Sequence, residues 1–214
     1  MARVYTDISM SLDGYVAGPN PTLEDPLGAG GMQLHEWAFR LAAWRQAHGL
    51  EGGETGPESG LVERTLASTG AYVMGRRMFS GGEGPWEDDP NANGWWGDEP
   101  PFHVPVFVVT HAPRERLELR GGTSFTFVTG GFHEAVELAR AAAGDRDVQI
   151  AGGGSVVQQG LTSDVLDELQ VHVAPVFLGG GTRLFDGAVP ATLAILDTIA
   201  TPQATHIHYR TKPS

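Results

Sequence analysis

The sequence predicts an α/β fold built on a mixed sheet. Short β-branched and apolar runs alternate with helical patterns through the middle of the chain. Two alternating segments near its end read as an antiparallel hairpin. No linker-like stretch or internal repeat divides the 214 residues, so one domain over 1–214 is expected, in line with α/β domains of ~200 residues.

The elements follow in order. Residues 3–10 (RVYTDISM) mix β-branched and aromatic side chains and predict an opening strand. Asp-Gly and Gly-Pro-Asn breakers then turn the chain. Residues 33–48 predict one helix, because Leu34, Trp37, Leu41 and Trp44 recur at spacings of three and four. An acidic glycine-rich loop and a shorter helix over 63–68 come next, ending near Gly70. Residues 71–74 (AYVM) predict a buried strand, and 104–110 (VPVFVVT) form the clearest strand of the chain. The Gly-, Pro- and Trp-rich stretch between them, 80–102, has the length of a lid or an oligomer contact. A short strand over 125–128, a helix over 132–143 and a strand over 148–151 follow. That strand runs into glycines and a short helix, and the stretch DELQVHVAPVFLGGGTRLF holds another strand and a second glycine cluster. Segments 194–199 and 205–210 form the closing hairpin.

Composition narrows the function. With 14 basic against 26 acidic residues the net charge is -12, which disfavours nucleic acid and anionic membranes as partners. A local arginine cluster still leaves room for a small phosphorylated ligand. Cysteine is absent, so disulfides, thiolate zinc sites and a cysteine nucleophile are excluded, and a reducing cytoplasm fits. No apolar leader or run of ~18 apolar residues occurs. Lys212 is the only lysine, which leaves none in the body of the chain for a Schiff base or P-loop.

Two motifs point to a ligand. In DVQIAGGGSVVQQGL a strand runs into Gly152, Gly153 and Gly154, and a helix begins at once. Such a junction presents unpaired amides at the positive end of a helix, where a pyrophosphate can sit. A tight turn needing positive φ explains the glycines equally well. The Rossmann spacing fails at Val157, and no Gly-Lys-Ser/Thr follows. In YVMGRRMF a strand ends at Gly75 and offers Arg76 and Arg77, whose forks match a phosphate or pair with nearby carboxylates.

With ISMSLDGYVAG, VPVFVVTHAPR and DVLDELQVHVAPVFLGGGTRLFDG, these motifs stand in an order that resembles the dihydrofolate reductase superfamily. The resemblance is closest to the C-terminal reductase domain of the bifunctional riboflavin-biosynthesis deaminase/reductase and its stand-alone relatives. It implies a mixed, mostly parallel sheet flanked by helices, with NADPH across the strand ends and a homodimer as the assembly. By that resemblance Gly152, Gly153, Gly154, Ser155 and Val156 line the pyrophosphate and nicotinamide region. Gly75, Arg76 and Arg77 face the 2′-phosphate, and Thr110 and His111 flank the adenine end. Ser9 lies under the nicotinamide, with Val16 and Ala17 offering backbone to its carboxamide.

The chain also departs from these relatives. Neither the H-x-E nor the P-C-x-x-C signature of a deaminase half is present. Tyr15 stands where riboflavin-type reductases commonly carry lysine, and residues 18–31 form an insertion. For the proton of a reduction, Asp13 and Glu36 are the catalytic candidates. Asp13 could equally hold its Asp-Gly turn, and Glu36 could be a surface residue. His206 and His208 share a strand face but have no third ligand at suitable spacing, so no metal site is expected. Trp86, Trp95 and Trp96 could cover a planar substrate or sit at a dimer contact. The expectation is an NADPH-dependent reductase of a small heterocyclic or carbonyl/imine substrate, pterin- or aminopyrimidine-like. A non-catalytic nucleotide- or pterin-binding protein on the same fold is the alternative, and a flavin-using oxidoreductase is a third reading.

Overall fold

A computed structural model describes residues 2–82, 84–187 and 191–211. Its elements run β1 (Val4–Ser11), β2 (Tyr15–Ala17), α1 (Glu36–Phe39), α2 (Ala42–Ala47), α3 (Pro57–Ser68), β3 (Thr69–Gly75) and α4 (Arg76–Ser80). Then come β4 (Pro105–Val109), β5 (Leu117–Glu118), β6 (Ser124–Val128), α5 (Phe132–Ala143), β7 (Asp147–Gly152) and α6 (Gly154–Thr162). The last are β8 (Glu168–Ala174), β9 (Thr182–Arg183), β10 (Ala194–Ala200) and β11 (Thr205–Arg210).

Nine strands form one sheet in the order β10-β11-β8-β1-β7-β3-β4-β6-β5, and β2 pairs with β9 in a separate antiparallel ribbon. The strands from β8 to β6 are parallel, whereas β5 and the β10–β11 hairpin are antiparallel. This is the mixed, mostly parallel sheet that the sequence implied.

The centre of the sheet is buried because helices and loops cover both faces, whereas the edge strand β10 is exposed. Helix α5 lays Phe132, Ala135, Val136, Ala139 and Ala143 against it, a three-and-four spacing that makes one apolar stripe. Opposite, Tyr72, Met74, Phe79, Val106, Val108 and Phe125 pack beneath the 80–102 loop. Alternation along β3 sends Ala71 and Val73 to the first cluster and Tyr72 and Met74 to the second. Every residue of β3 is therefore buried, as expected of a central parallel strand. Each large apolar side chain so placed contributes about 1.5–3 kcal/mol.

The helix expected over 33–48 is instead a 3-10 turn at Gly31–Leu34 followed by α1 and α2. The break falls at Leu41, whose φ/ψ of −75/139° is extended. Residues of the next loop take over the backbone bonds there: Ala42 N–H donates to the Glu54 carbonyl at 2.9 Å, and Glu54 N–H to that of Arg40 at 2.8 Å. The apolar spacing survives the break, so Trp37 and Leu41 are still buried. Helix α3 contains the expected 63–68 stretch and starts at Pro57, in its first turn, where a missing N–H costs nothing. Among the described residues no helix is long and apolar enough to cross a membrane.

Candidate active site

A cleft of ≈1650 Å³ opens where β1, β3, β4 and β7 end at their carboxyl termini, the usual ligand position in such sheets. Its volume exceeds the ~300–1,000 Å³ of a typical single-ligand pocket, which leaves room for a dinucleotide and a second small molecule.

The three glycines each answer a different demand. Gly152 has φ +142°, a conformation that L side chains rarely adopt. A Cβ on Gly154 would stand 2.5 Å from Thr182 Cγ2 and 3.1 Å from Val16 Cγ2, so packing forbids it. Gly153 has an ordinary φ of −63°, and a Cβ there would meet nothing within 4 Å. The Gly152–Gly153 peptide is cis. Gly153 caps α6, a nine-residue helix in which Val156 and Val157 N–H already donate to the Gly153 carbonyl, at 3.0 and 3.2 Å, while the amides of Gly154 and Ser155 come before the first intrahelical bond. Gly153, Gly154, Ser155 and Val156 all line the cleft. Their backbone fits a pyrophosphate, because the one position without a steric or conformational need for glycine is the one that faces the open space.

The paired arginines separate. Arg76 is buried: its guanidinium donates to Asp89 Oδ2 and to Ser80 Oγ, the latter at 3.0 Å, and lies 3.2 Å from the centre of the Trp86 ring. It lines the cleft with Gly75, but its fork is engaged by Asp89 and Ser80, and it anchors the 80–102 loop. Arg77 is exposed at the cleft wall. Thr110, buried at the end of β4, accepts from Ala112 N–H at 3.2 Å, and exposed His111 lies beside it.

On the other side of the cleft Ser9 is buried and accepts a hydrogen bond from Trp37 Nε1 at 3.0 Å. Val16 and Ala17 line the cleft from β2. Trp95 and Trp96 are half-buried in its wall, and the buried Nε1 of Trp96 has no hydrogen-bond partner.

The two carboxylates proposed as proton donors stand elsewhere. Asp13 accepts from Ser11 Oγ at 2.6 Å, Leu178 N–H at 3.1 Å and Gly179 N–H at 2.8 Å. The Ser11 hydroxyl, with those amides, lowers its pKa to about 2. It ties the β1–β2 turn to the second glycine cluster and is not among the cleft residues. Glu36 is exposed on α1 and also outside the lining.

A different polar group forms the cleft floor. Asp7 Oδ1 lies 2.5 Å from His172 Nε2, His172 Nδ1 is 2.7 Å from His206 Nδ1, and His206 Nε2 is 3.0 Å from Glu58 Oε1. Both imidazoles are essentially inaccessible and pack on Trp37, with centroids at 4.5 and 4.7 Å. Next to them His35 lines the cleft, and burial, aided by His172, lowers its pKa to about 4. His208 turns to Glu168 at 2.9 Å, so His206 and His208 serve separate partners. The signal in the sequence was a histidine at a core-facing position of an alternating strand, in QVHVA and THIH. Buried polar groups of that kind need partners.

Several solved structures share this architecture at low identity. A riboflavin biosynthesis protein from Shewanella sp. PV-4 superposes with a TM-score of 0.63 at 19% identity, over 99% of each chain. A diaminohydroxyphosphoribosylaminopyrimidine deaminase/5-amino-6-(5-phosphoribosylamino)uracil reductase from Thermotoga maritima gives 0.56 at 14% identity, over 99% of this chain and 57% of that one. A pyrimidine reductase-like protein from Corynebacterium diphtheriae gives 0.52 at 12% identity, over 100% and 93%. No curated protein sequence matches significantly. The model of one family, the RibD C-terminal domain, matches residues 2–207. With that match over nearly its whole length, the chain belongs to the RibD C-terminal domain family.

Proposed function

We propose that the chain is an NADPH-dependent reductase of a small heterocyclic or carbonyl/imine substrate, of pterin or aminopyrimidine type. The observation that carries the reading is Gly153 at the cap of α6, open to the cleft where nothing in the fold requires glycine. Family membership supports it. When bound, the dihydronicotinamide supplies the hydride, and the chain's part is binding, orientation and control of the proton. The amides of Gly154 and Ser155 hold the pyrophosphate, Arg77 reads the 2′-phosphate, and Ser9 and Val16 border the nicotinamide. The half-buried Trp95 and Trp96 flank the substrate. A homodimer belongs to the same reading, and the edge strand β10 exposes Ile195 and Leu196 as apolar surface for a second copy.

The first test is a thermal-shift titration with NADPH and NADH side by side. A ligand that binds only the folded state stabilises by RT ln(1 + [L]/Kd), about 2.7 kcal/mol at a hundredfold excess. A clear shift with NADPH and a smaller one with NADH is expected, and no shift with either refutes the proposal. The alternative, a non-catalytic nucleotide- or pterin-binding protein, draws on the positions of Asp13 and Glu36 outside the cleft. NADPH oxidation against a panel of dihydropterins and ribosylaminopyrimidines separates the two, since a binding protein consumes no NADPH.

A further inference from the structure

Reduction of a C=N or C=O bond adds a hydride to carbon and leaves an electron pair on nitrogen or oxygen, which must then take a proton. Neither Asp13 nor Glu36 lines the cleft where that happens. The chain from Asp7 to Glu58 does reach it. Asp7 and His172 are in the cleft wall, whereas His206 lines a second cavity of ≈570 Å³ beside Arg64 and Gln170. His172 and His206 are direct cross-strand partners on β8 and β11, and β1 carries Asp7 alongside.

Counting hydrogens fixes the state of this chain. A separation of 2.7 Å between two Nδ1 atoms requires one to carry hydrogen and the other to be bare. The links from His172 to Asp7 and from His206 to Glu58 each need one hydrogen as well. Three links hold three protons. Two neutral imidazoles bring two, so the third is shared along the chain.

We propose that Glu58, His206, His172 and Asp7 form a proton relay that carries a proton from solvent at Glu58 to the cleft, where Asp7 hands it to the substrate heteroatom. The inference rests on the reductase reading above. In one turnover the hydride goes to the substrate carbon and the π pair to the heteroatom, and the proton on the His172 Nε2–Asp7 link crosses to Asp7 and on to that heteroatom. The proton between the two Nδ1 atoms then moves to His172, the proton on the Glu58–His206 link moves to His206 Nε2, and Glu58 takes one proton from solvent. One hydride and one proton enter the substrate, and the relay returns to its starting charge. Asp7 is the catalytic residue, and the other three act through it.

The surroundings keep Asp7 ionised between transfers, so that it holds the proton only in passing. Burial opposes ionisation of Asp7, but His172, Thr65 and His206 outweigh it and hold its pKa below the ordinary value. Thr65 Oγ1 at 3.1 Å and Gln170 Nε2 at 2.9 Å donate to its second oxygen. Burial, then the charge of His172, pushes His206 down against the opposing pull of Glu58. The other titratable neighbours are Tyr5 and Tyr72 near Asp7, both raised mainly by burial and neutral, His35 near His172, and Arg40, whose Nη2 is 2.6 Å from Glu58 Oε2.

The test uses the full chain with ¹⁵N-labelled histidine rings and needs no cofactor. Expected is one far-downfield proton shared by the two Nδ1 atoms. In E58Q that resonance and the ring ¹⁵N shifts of His172 should both change, although Glu58 touches only His206. Absence of the shared proton, or a His172 indifferent to E58Q, overturns the relay; should E58Q fail to fold, the wild-type spectrum decides. The NADPH shift is measured on the same samples. Coupled rings without NADPH binding defeat the reductase reading and the relay with it, whereas NADPH binding with uncoupled rings defeats the relay alone.

Discussion

A methyl group added at Gly153 and one added at Gly154 have opposite consequences. At Gly153 it enters open cleft, so Gly153→Ala should leave the melting temperature unchanged and raise the NADPH Kd about tenfold, or about 1.4 kcal/mol. At Gly154 it strikes Thr182, and overpacking of that kind costs about 1–3 kcal/mol. That corresponds to roughly 2–4 °C in Tm per kcal/mol for a chain of this size. Differential scanning calorimetry and an NADPH titration on both variants check the pair. His35 sets a second expectation. Its pKa falls from 6.5 to about 4 on folding, so between those values the unfolded chain binds the proton that the folded chain refuses. Stability should therefore drop as pH falls from 6.5 towards 4, and His35→Gln should flatten that part of a Tm–pH profile. At this scale the glycine cluster was legible, because glycine leaves a mark that spacing can find. The floor was not: Asp7 and His172 are 165 positions apart, and a single sequence gives no sign that two such residues meet. The arginine pair shows the same limit, since adjacent letters turn to opposite environments when a helix begins between strand and loop.

At the scale of elements, the longer strands and α5 matched their patterns because burial on a sheet imposes a period that neighbours cannot disguise, whereas the two- and three-residue strands β2, β5 and β9 were not expected. The 33–48 segment did not match, although its apolar spacing was right. A distant stretch, Glu54, competed for the backbone bonds at Leu41, and local periodicity is blind to such a competitor. The 80–102 loop is anchored at its start by a buried ion pair. Asp89 accepts from Arg76 and from Ser80 Oγ, the latter at 2.7 Å, and its side chain is 2% exposed. Asp89→Asn leaves the buried guanidinium without its counter-charge, a change that costs about 3–5 kcal/mol in comparable pairs. A lower urea midpoint and faster proteolysis within 80–102 are the expected readouts. Retention of wild-type stability would mean that the remaining contacts, among them stacking on Trp86 and the Asn91–Ser80 bond, are enough to hold the loop.

Across the whole molecule, function follows from where the strands end. Because β8, β1, β7, β3, β4 and β6 all run the same way, their carboxyl ends gather the glycine, threonine and serine positions at one edge without long loops. The alternation of strands and helices made that class readable, whereas the insertion of β7 between β1 and β3 left no trace in the order of letters. That insertion also bears on how the protein is made. Val4 pairs with Val148, and Tyr5 with Glu168, so β1 leaves the ribosome with both neighbours more than 140 residues behind it. Contacts that distant are slow to form. Until β7 and β8 have been translated, β1 offers bare edges to any other chain. A nascent or truncated form that stops at α5 is thus the species most prone to aggregate, and co-translational chaperones have the most to do over that interval.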